Sequence, residues 1–312
     1  MGRLITIDCD YVGPQFAAAY LREEAGEVAF IETNTTLAVP KMLATLEREG
    51  LSREQVKFVV VTHVHLDHAG GASALMKACP NATLLAHPRA AKNLIDPSKL
   101  VASATQVYGQ EVFTKLYGVI EPIDAARVKS LDDGATETLG GATLTFLHTR
   151  GHANHHFVVH DSKENVVFTG DTFGLVYPAL QRAGRFAYPS TSPTDFDGPA
   201  AIASLRRVVD LKPRAVGLTH FGLFDDVEVI AEQLVPWLER ATAMVAQAAA
   251  TGDEHNTLEQ RFKWQLESMF EDAALKRNLV LTAEERQIIR FDLELNSQGL
   301  AVAAVRARAP RH

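Results

Sequence analysis

The sequence predicts an α/β fold, on three observations. Short apolar runs alternate with helical patterns through the first 220 residues, the order in which strands and helices build a layered sheet protein. The run Val56 to Val61 (VKFVVV) is continuous and β-branched, as a strand covered on both faces requires. Beyond residue 225 strand patterns stop and helical ones take over.

The elements follow in order. Val28 to Ile31 reads as a buried strand, and Val39, Met42, Leu43 and Leu46 recur at helical spacing until Gly50 stops them. After the central strand, Ala82 to Ala86 is a further short strand. Pro88 to Tyr117 turns helical, broken at Asp96-Pro97-Ser98. Thr136 to Leu139 and Thr143 to Leu147 flank Gly140-Gly141 as a hairpin. Phe157 to His160 and Val166 to Phe168 flank a second turn at Asp161 to Asn165, Asp197 to Leu211 is a helix, and Ala215 to Leu218 is the last strand. Thr282 with Glu285 marks a capped helix start whose apolar side would be Ile288, Ile289, Phe291 and Leu295, and the last dozen residues read as a loose tail. The domain expectation is a catalytic domain at 1–225, with a helical insertion at about 93–117, followed by a helical extension at 226–312.

Composition narrows the function. The 312 residues are 46% hydrophobic and 22% charged, which excludes disordered and fibrous classes. A net charge of −7 without a Lys/Arg-rich run argues against a nucleic-acid partner. No apolar run approaches about 20 residues, so no membrane span is expected. Cys9 and Cys79 cannot make a disulfide framework, and the opening MGRLITIDCD does not read as a signal peptide, so a cytoplasmic protein is expected.

Chemistry concentrates directly after VKFVVV, in Thr62-His63-Val64-His65-Leu66-Asp67-His68-Ala69-Gly70-Gly71. Three histidines and an aspartate at the end of a buried strand need partners, and imidazole with carboxylate suits a zinc or iron ion. His63 and His65 point to one side of an extended segment, as a chelating pair must. Asp67 and His68 lie where the chain turns into a helix, within reach of a second ion.

These residues resemble the metallo-β-lactamase-fold hydrolases, whose His-x-His-x-Asp-His signature is met by His63, His65, Asp67 and His68. Thr149-Arg150-Gly151-His152 is similar to the family's Thr-Pro-Gly-His motif, with Arg150 in place of proline. Val167 to Asp171 resembles the strand ending in Gly-Asp, and Leu218-Thr219-His220-Phe221-Gly222 supplies the last histidine. Over residues 3 to 225 the resemblance implies a four-layer αββα sandwich with a binuclear site. It assigns His63, His65 and His152 to one ion and Asp67, His68 and His220 to the other, with Asp171 bridging. The implied cofactor is a pair of divalent ions, zinc first, with iron or manganese as alternatives. It implies hydrolysis of an ester, thioester, lactone or phosphoester by a metal-bridging water that ionises near neutral pH. Asp67 would move a proton to the leaving group.

Other residues are weighed beside this set. His156 would orient a ligand from behind or serve structure alone, while His155 reads as surface. His148 reads as core or capping, and His87 as a weaker candidate for substrate contact. Phe173, Tyr177, Phe186 and Tyr188 in an irregular loop would wall a substrate pocket with Phe221, or else pack as a satellite core; Tyr177 or Tyr188 would then assist the oxyanion. The C-terminal helices suit a substrate-binding extension, a lid or a homodimer surface, and the apolar set Phe262, Trp264, Leu266, Met269 and Phe270 must be covered. The insertion resembles that of lactonase relatives, and the layout, though not the residues, that of glyoxalase II. Two other readings stand beside a hydrolase of small molecules. One is a mononuclear-iron persulfide dioxygenase, whose ligands are a subset of these seven, and the other a low-turnover metal-containing binding protein.

Overall fold

The structure is a computed structural model and describes residues 2–191 and 194–308. The chain folds as two compact units that share its length. The first holds the residues up to His148, His155–Gly170 and Pro213–Asp225. The second holds Thr149–Asn154, Asp171–Lys212 and the chain from Asp226 onward.

The first unit is built on two six-stranded sheets. One is ordered β1 (Arg3–Asp8), β2 (Ala18–Glu24), β3 (Glu27–Ile31), β4 (Val56–Val60), β5 (Thr83–Ala86) and β6 (Val128–Ser130). Its first three strands are antiparallel, and β3 to β6 run parallel. Along it come α1 (Val39–Arg48), α2 (Leu66–Ala69), α3 (Ala72–Ala78), α4 (Pro88–Ile95), α5 (Ser98–Tyr108) and α6 (Gln110–Tyr117). The other sheet contains β7 (Thr136–Leu139), β8 (Ala142–His148), β9 (Phe157–Asp161), β10 (Val166–Leu175), β11 (Ala215–His220) and β12 (Gly222–Phe224), adjacent in that order.

Period-two alternation makes the layers. In and just after β4, Val59 and Val61 join the core that also holds Val39, Met42 and Leu46 of α1 and Leu75 and Met76 of α3. Phe58 and Val60 point the other way, into the core shared with Phe146, Phe157 and Phe168 of the second sheet. Two apolar faces on one strand are what the VKFVVV run requires. Across this layer Tyr20 donates to the Leu218 carbonyl at 2.6 Å. The fully buried pair Arg22 and Asp161 meets at 2.6 Å.

In the second unit lie α7 (Gly198–Asp210), α8 (Val227–Ala249), α9 (His255–Lys276) and α10 (Ala283–Ala307). Asp197 caps α7 by accepting from Ala200 N, and Thr282 with Glu285 forms the expected capping box of α10. Phe262, Leu266 and Phe270 of α9 are buried one turn apart. Among the described residues no helix is long and apolar enough to cross a membrane.

Several sequence expectations change. β1, β2 and β6 carried no strand signature that stood out, and β12 follows the strand taken as the last. β10 continues past Phe168 to Leu175, because its residues stay buried beyond Asp171. The helical stretch 88–117 is three helices, the second break falling at Gly109. Trp264 is 69% exposed while Phe262 and Phe270 are buried, so only one stripe of the α9 apolar set is covered. Of the four residues expected on the apolar side of α10, only Ile289 is buried. The covered stripe runs through Asp292, Leu293 and Asn296 instead, since these polar groups bind the segment 188–191. The expected tail is helical to Ala307, and residues 309–312 lie outside the described residues.

Candidate metal centre

The donors of the first unit come from strand ends. β4 delivers Thr62 and His63 into a bend, and His65 caps the short helix α2, whose first turn carries Asp67 and His68. β11 ends on His220. Asp67, His68 and His220 each offer one donor atom, all within 4.8 Å of one another. Asp67 Oδ2 lies 3.7 Å from His68 Nε2 and 3.5 Å from His220 Nε2. His63 Nε2 and His65 Nδ1 stand 2.8 Å apart.

The opposite nitrogens are held by oxygen acceptors, which fixes how the rings present themselves. His68 Nδ1 faces Glu32 Oε1 at 3.1 Å, and His220 Nδ1 faces the Phe16 carbonyl at 2.9 Å. With the proton on Nδ1, the lone pair of each ring sits on Nε2, toward Asp67. Thr62 Oγ1 donates to Glu32 Oε1 at 2.5 Å, so the same oxygen accepts from His63 Nδ1 at 3.0 Å. Thr219 Oγ1 also donates to Glu32, at 3.2 Å.

Glu32, 1% exposed, is therefore the residue the sequence reading missed. It follows β3 in a left-handed conformation (φ 65°). Its only sequence signal is a carboxylate placed directly after the buried run Val28 to Ile31. A buried carboxylate is costly unless several donors meet it, and here two threonine hydroxyls and an imidazole do.

His156 is fully buried, its ring 4.9 Å from that of His63. Gly170 has φ +48°, and a Cβ there would come within 2.5 Å of His156 Nε2 and Thr62 Oγ1, so only glycine fits. His155, read as surface, is half-buried with its ring 5.5 Å from His65. His148 donates to the Leu131 carbonyl through Nε2 at 3.0 Å, and its ring lies 4.1 Å from that of His87, tilted by 39°. Burial first, then the charges of His148, His155 and Arg89, pushes the His87 pKa down to about 4. Phe221 is half-buried against the inter-sheet core.

In the second unit the pattern repeats. His152 Nδ1 faces the Ser190 carbonyl at 3.4 Å, and its Nε2 faces Asp171 Oδ2 at 3.4 Å. Phe173, Tyr177, Phe186 and Tyr188 turn inward and are buried, which makes them a satellite core rather than an open wall. Phe270 packs 5.0 Å from Phe186 and 5.2 Å from Tyr188. Tyr188 donates to Asp292 Oδ2 at 2.7 Å, and burial with the Asp292 charge lifts both tyrosines well above the ordinary phenol pKa. A hydroxyl engaged in this way is not offered to a substrate.

The donor set is imidazole plus carboxylate. Both cysteines are buried elsewhere, and burial raises their thiols to about 12 at Cys9 and about 11 at Cys79. Such a set fits a borderline-hard divalent cation and offers no thiolate.

Comparison with known proteins identifies the family. The chain is 29% identical over 229 residues to the metallo-beta-lactamase fold-containing protein ST1585 of Sulfurisphaera tokodaii, covering 69% of this chain and 83% of that one. The crystal structure of the archaeal superfamily protein ST1585 from Sulfolobus tokodaii superposes with a TM-score of 0.66 at 23% identity, over 95% of this chain and 97% of the other. The family protein TTHA1429 from Thermus thermophilus gives 0.63 at 22% identity, over 96% and 92%. These structural likenesses show the fold. The model of the metallo-beta-lactamase superfamily matches residues 12–220, more than half of the sequence, and the chain belongs to that superfamily.

Proposed function

We propose that the protein is a metal-dependent hydrolase of a small ester, thioester or lactone, with two divalent ions, zinc first. His63, His65 and His152 would hold one ion and Asp67, His68 and His220 the other, with Asp171 shared, as the family motif assigns them. One observation carries the reading. The Nε2 atoms of His68 and His220 face one carboxylate while each Nδ1 is held by an oxygen acceptor. Rings oriented in this way suit cation binding, because the outer hydrogen bond sets the tautomer and raises ligand basicity.

When bound, such ions supply Lewis acidity and water activation near neutral pH. The chain's residues supply the rest. Glu32 and the Phe16 carbonyl hold two rings in the productive tautomer. Asp67, its side chain 27% exposed, can hold a proton at Oδ2 and pass it to a departing oxygen or sulfur.

Elemental analysis of gently purified protein, with a panel of aryl esters, thioesters and lactones, tests the proposal. About two zinc ions per chain with turnover supports it. One iron with oxygen uptake would instead favour the persulfide dioxygenase, and full activity in a metal-free protein would sink the mechanism.

A further inference from the structure

We propose that the outer face of α10 is a self-association surface, and that two copies of this chain pair through it as antiparallel helices about a two-fold axis between Leu295 and Gln298. The surface lies wholly within the second unit, and its use does not depend on the hydrolase reading.

α10 is apolar on two sides. One side packs on α8 and α9 and buries Ile289, Leu293, Leu300 and Ala304. On the other, Ile288, Phe291, Leu295, Gln298, Val302 and Val305 follow one another at alternating steps of three and four residues. At about 3.6 residues per turn these positions fall in one stripe, roughly opposite the buried one. A three-four alternation is the seam that interlocks with a facing helix. Ile288, Phe291 and Val305 are 39%, 43% and 40% exposed, and Leu295, Gln298 and Val302 are half-buried. A helix with a single packed face turns polar residues to solvent, whereas one that is apolar on both sides needs a second cover.

Charged pairs border the stripe on both flanks. Glu294 meets Lys263 of α9 at 2.8 Å, and Arg306 meets Asp195 at 3.4 Å. An apolar strip with a rim of ions has the anatomy of a protein contact.

The occupant is a second copy, because the stripe complements itself when turned end for end. Antiparallel pairing sets Ile288 against the partner's Val305, Phe291 against the partner's Val302 and Leu295 against the partner's Gln298. Phe291 thereby meets a small side chain, and every contact occurs twice, as an isologous interface requires. Charge selects the direction. Glu284 and Glu285 lie in the first turn of α10 and Arg306 in the last. Antiparallel copies bring acidic starts to basic ends and oppose the helix dipoles, while parallel copies stack acid on acid and base on base. From Ile288 to Val305 the seam is about 26 Å long. One helix pair of that length is a small interface, which suits an association of the micromolar class.

Sedimentation velocity on the full chain, from about 1 to 200 μM, tests the pairing. The wild type should pass from monomer to dimer with a dissociation constant on the order of 10 μM. Phe291→Glu puts a charge into the seam and should weaken association about tenfold or more, with Tm retained because the residue is exposed. Trp264→Glu removes a still more exposed aromatic, 69%, from α9 outside the stripe and should leave the constant unchanged. Cross-linking checks the direction, since Cys9 and Cys79 are both buried. Under mild oxidation Ile288→Cys/Val305→Cys should form a covalent dimer. Ile288→Cys alone should not, its two sulfurs standing about 26 Å apart along the seam. A wild type monomeric throughout, a Phe291→Glu variant that dimerises like wild type, or an equal loss in Trp264→Glu would overturn the proposal. So would cross-linking of Ile288→Cys alone, the mark of parallel pairing. A monomer that binds phosphatidylcholine vesicles would assign the face to a lipid surface and overturn it as well.

Discussion

Glu32 governs the site without being one of its donors. It meets His68 across 36 positions of sequence and Thr219 across 187, so no local pattern announces it. The histidines were legible because three of them crowd the end of an apolar strand. Their outer partners were not, because a carbonyl such as that of Phe16 has no sequence signature. Tyr177 and Tyr188 were misplaced for the same reason: their aromatic spacing is visible, but the Asp292 that engages them lies more than 100 residues away. Glu32→Gln keeps the volume and removes the charge that orders Thr62, His63 and His68. Affinity for the zinc proposed at this site should fall about 10–100-fold, as measured by chelator competition, and wild-type affinity would show that the carboxylate is incidental. His87 gives a pH test. Its folded pKa of about 4 lies below the ordinary 6.5, so the folded state resists its protonation. The unfolded chain binds that proton first, so stability is full above about pH 6.5 and falls by about 3 kcal/mol as pH drops toward 4. His87→Asn should flatten that part of the urea-derived stability profile, and an unchanged slope would refute the assignment.

At the level of elements, legibility followed apolar periodicity. β3, β4, β5 and the β7–β8 hairpin could be read because their residues alternate or run continuously apolar. β2 could not, since Arg22, Glu23 and Glu24 look like a surface turn. They are buried because Arg22 pairs with Asp161 and Glu24. A cation paired on both sides removes the charge penalty that pattern reading assumes. α10 misled in the opposite sense, exposing Ile288 and Phe291 while burying Asp292 and Asn296. The short helix α6 depends on its glycine ends. Gly118 combines φ 73° with ψ −140°, and a Cβ would stand 3.0 Å from Thr36 Cβ. Gly118→Ala should therefore cost about 1–3 kcal/mol, read as a lowered Tm. A neutral effect would mean that the end of the insertion tolerates another backbone conformation.

Taken whole, the chain crosses between its two units five times, at residues 148/149, 154/155, 170/171, 212/213 and 225/226. The family was legible from the motifs, but this interleaving was not, because pattern reading divides a chain once and in order. It bears on what can be cut away. Ending the chain at Gly252 would remove α9 and α10 and uncover Phe186 and Tyr188, which pack on Phe270. The truncated protein should aggregate under light scattering and unfold at lower urea than the full chain. Equal solubility and stability would mark the helices as dispensable. The placement of the tryptophans has a different kind of consequence. The sequence contains two, and both Trp237 on α8 and Trp264 on α9 lie in the second unit. Red-edge excitation will therefore make the second unit luminous and leave the first dark. Emission would then report the second unit, while far-ultraviolet dichroism reports the backbone of both units, and a gap between the two curves would show that they melt in separate steps.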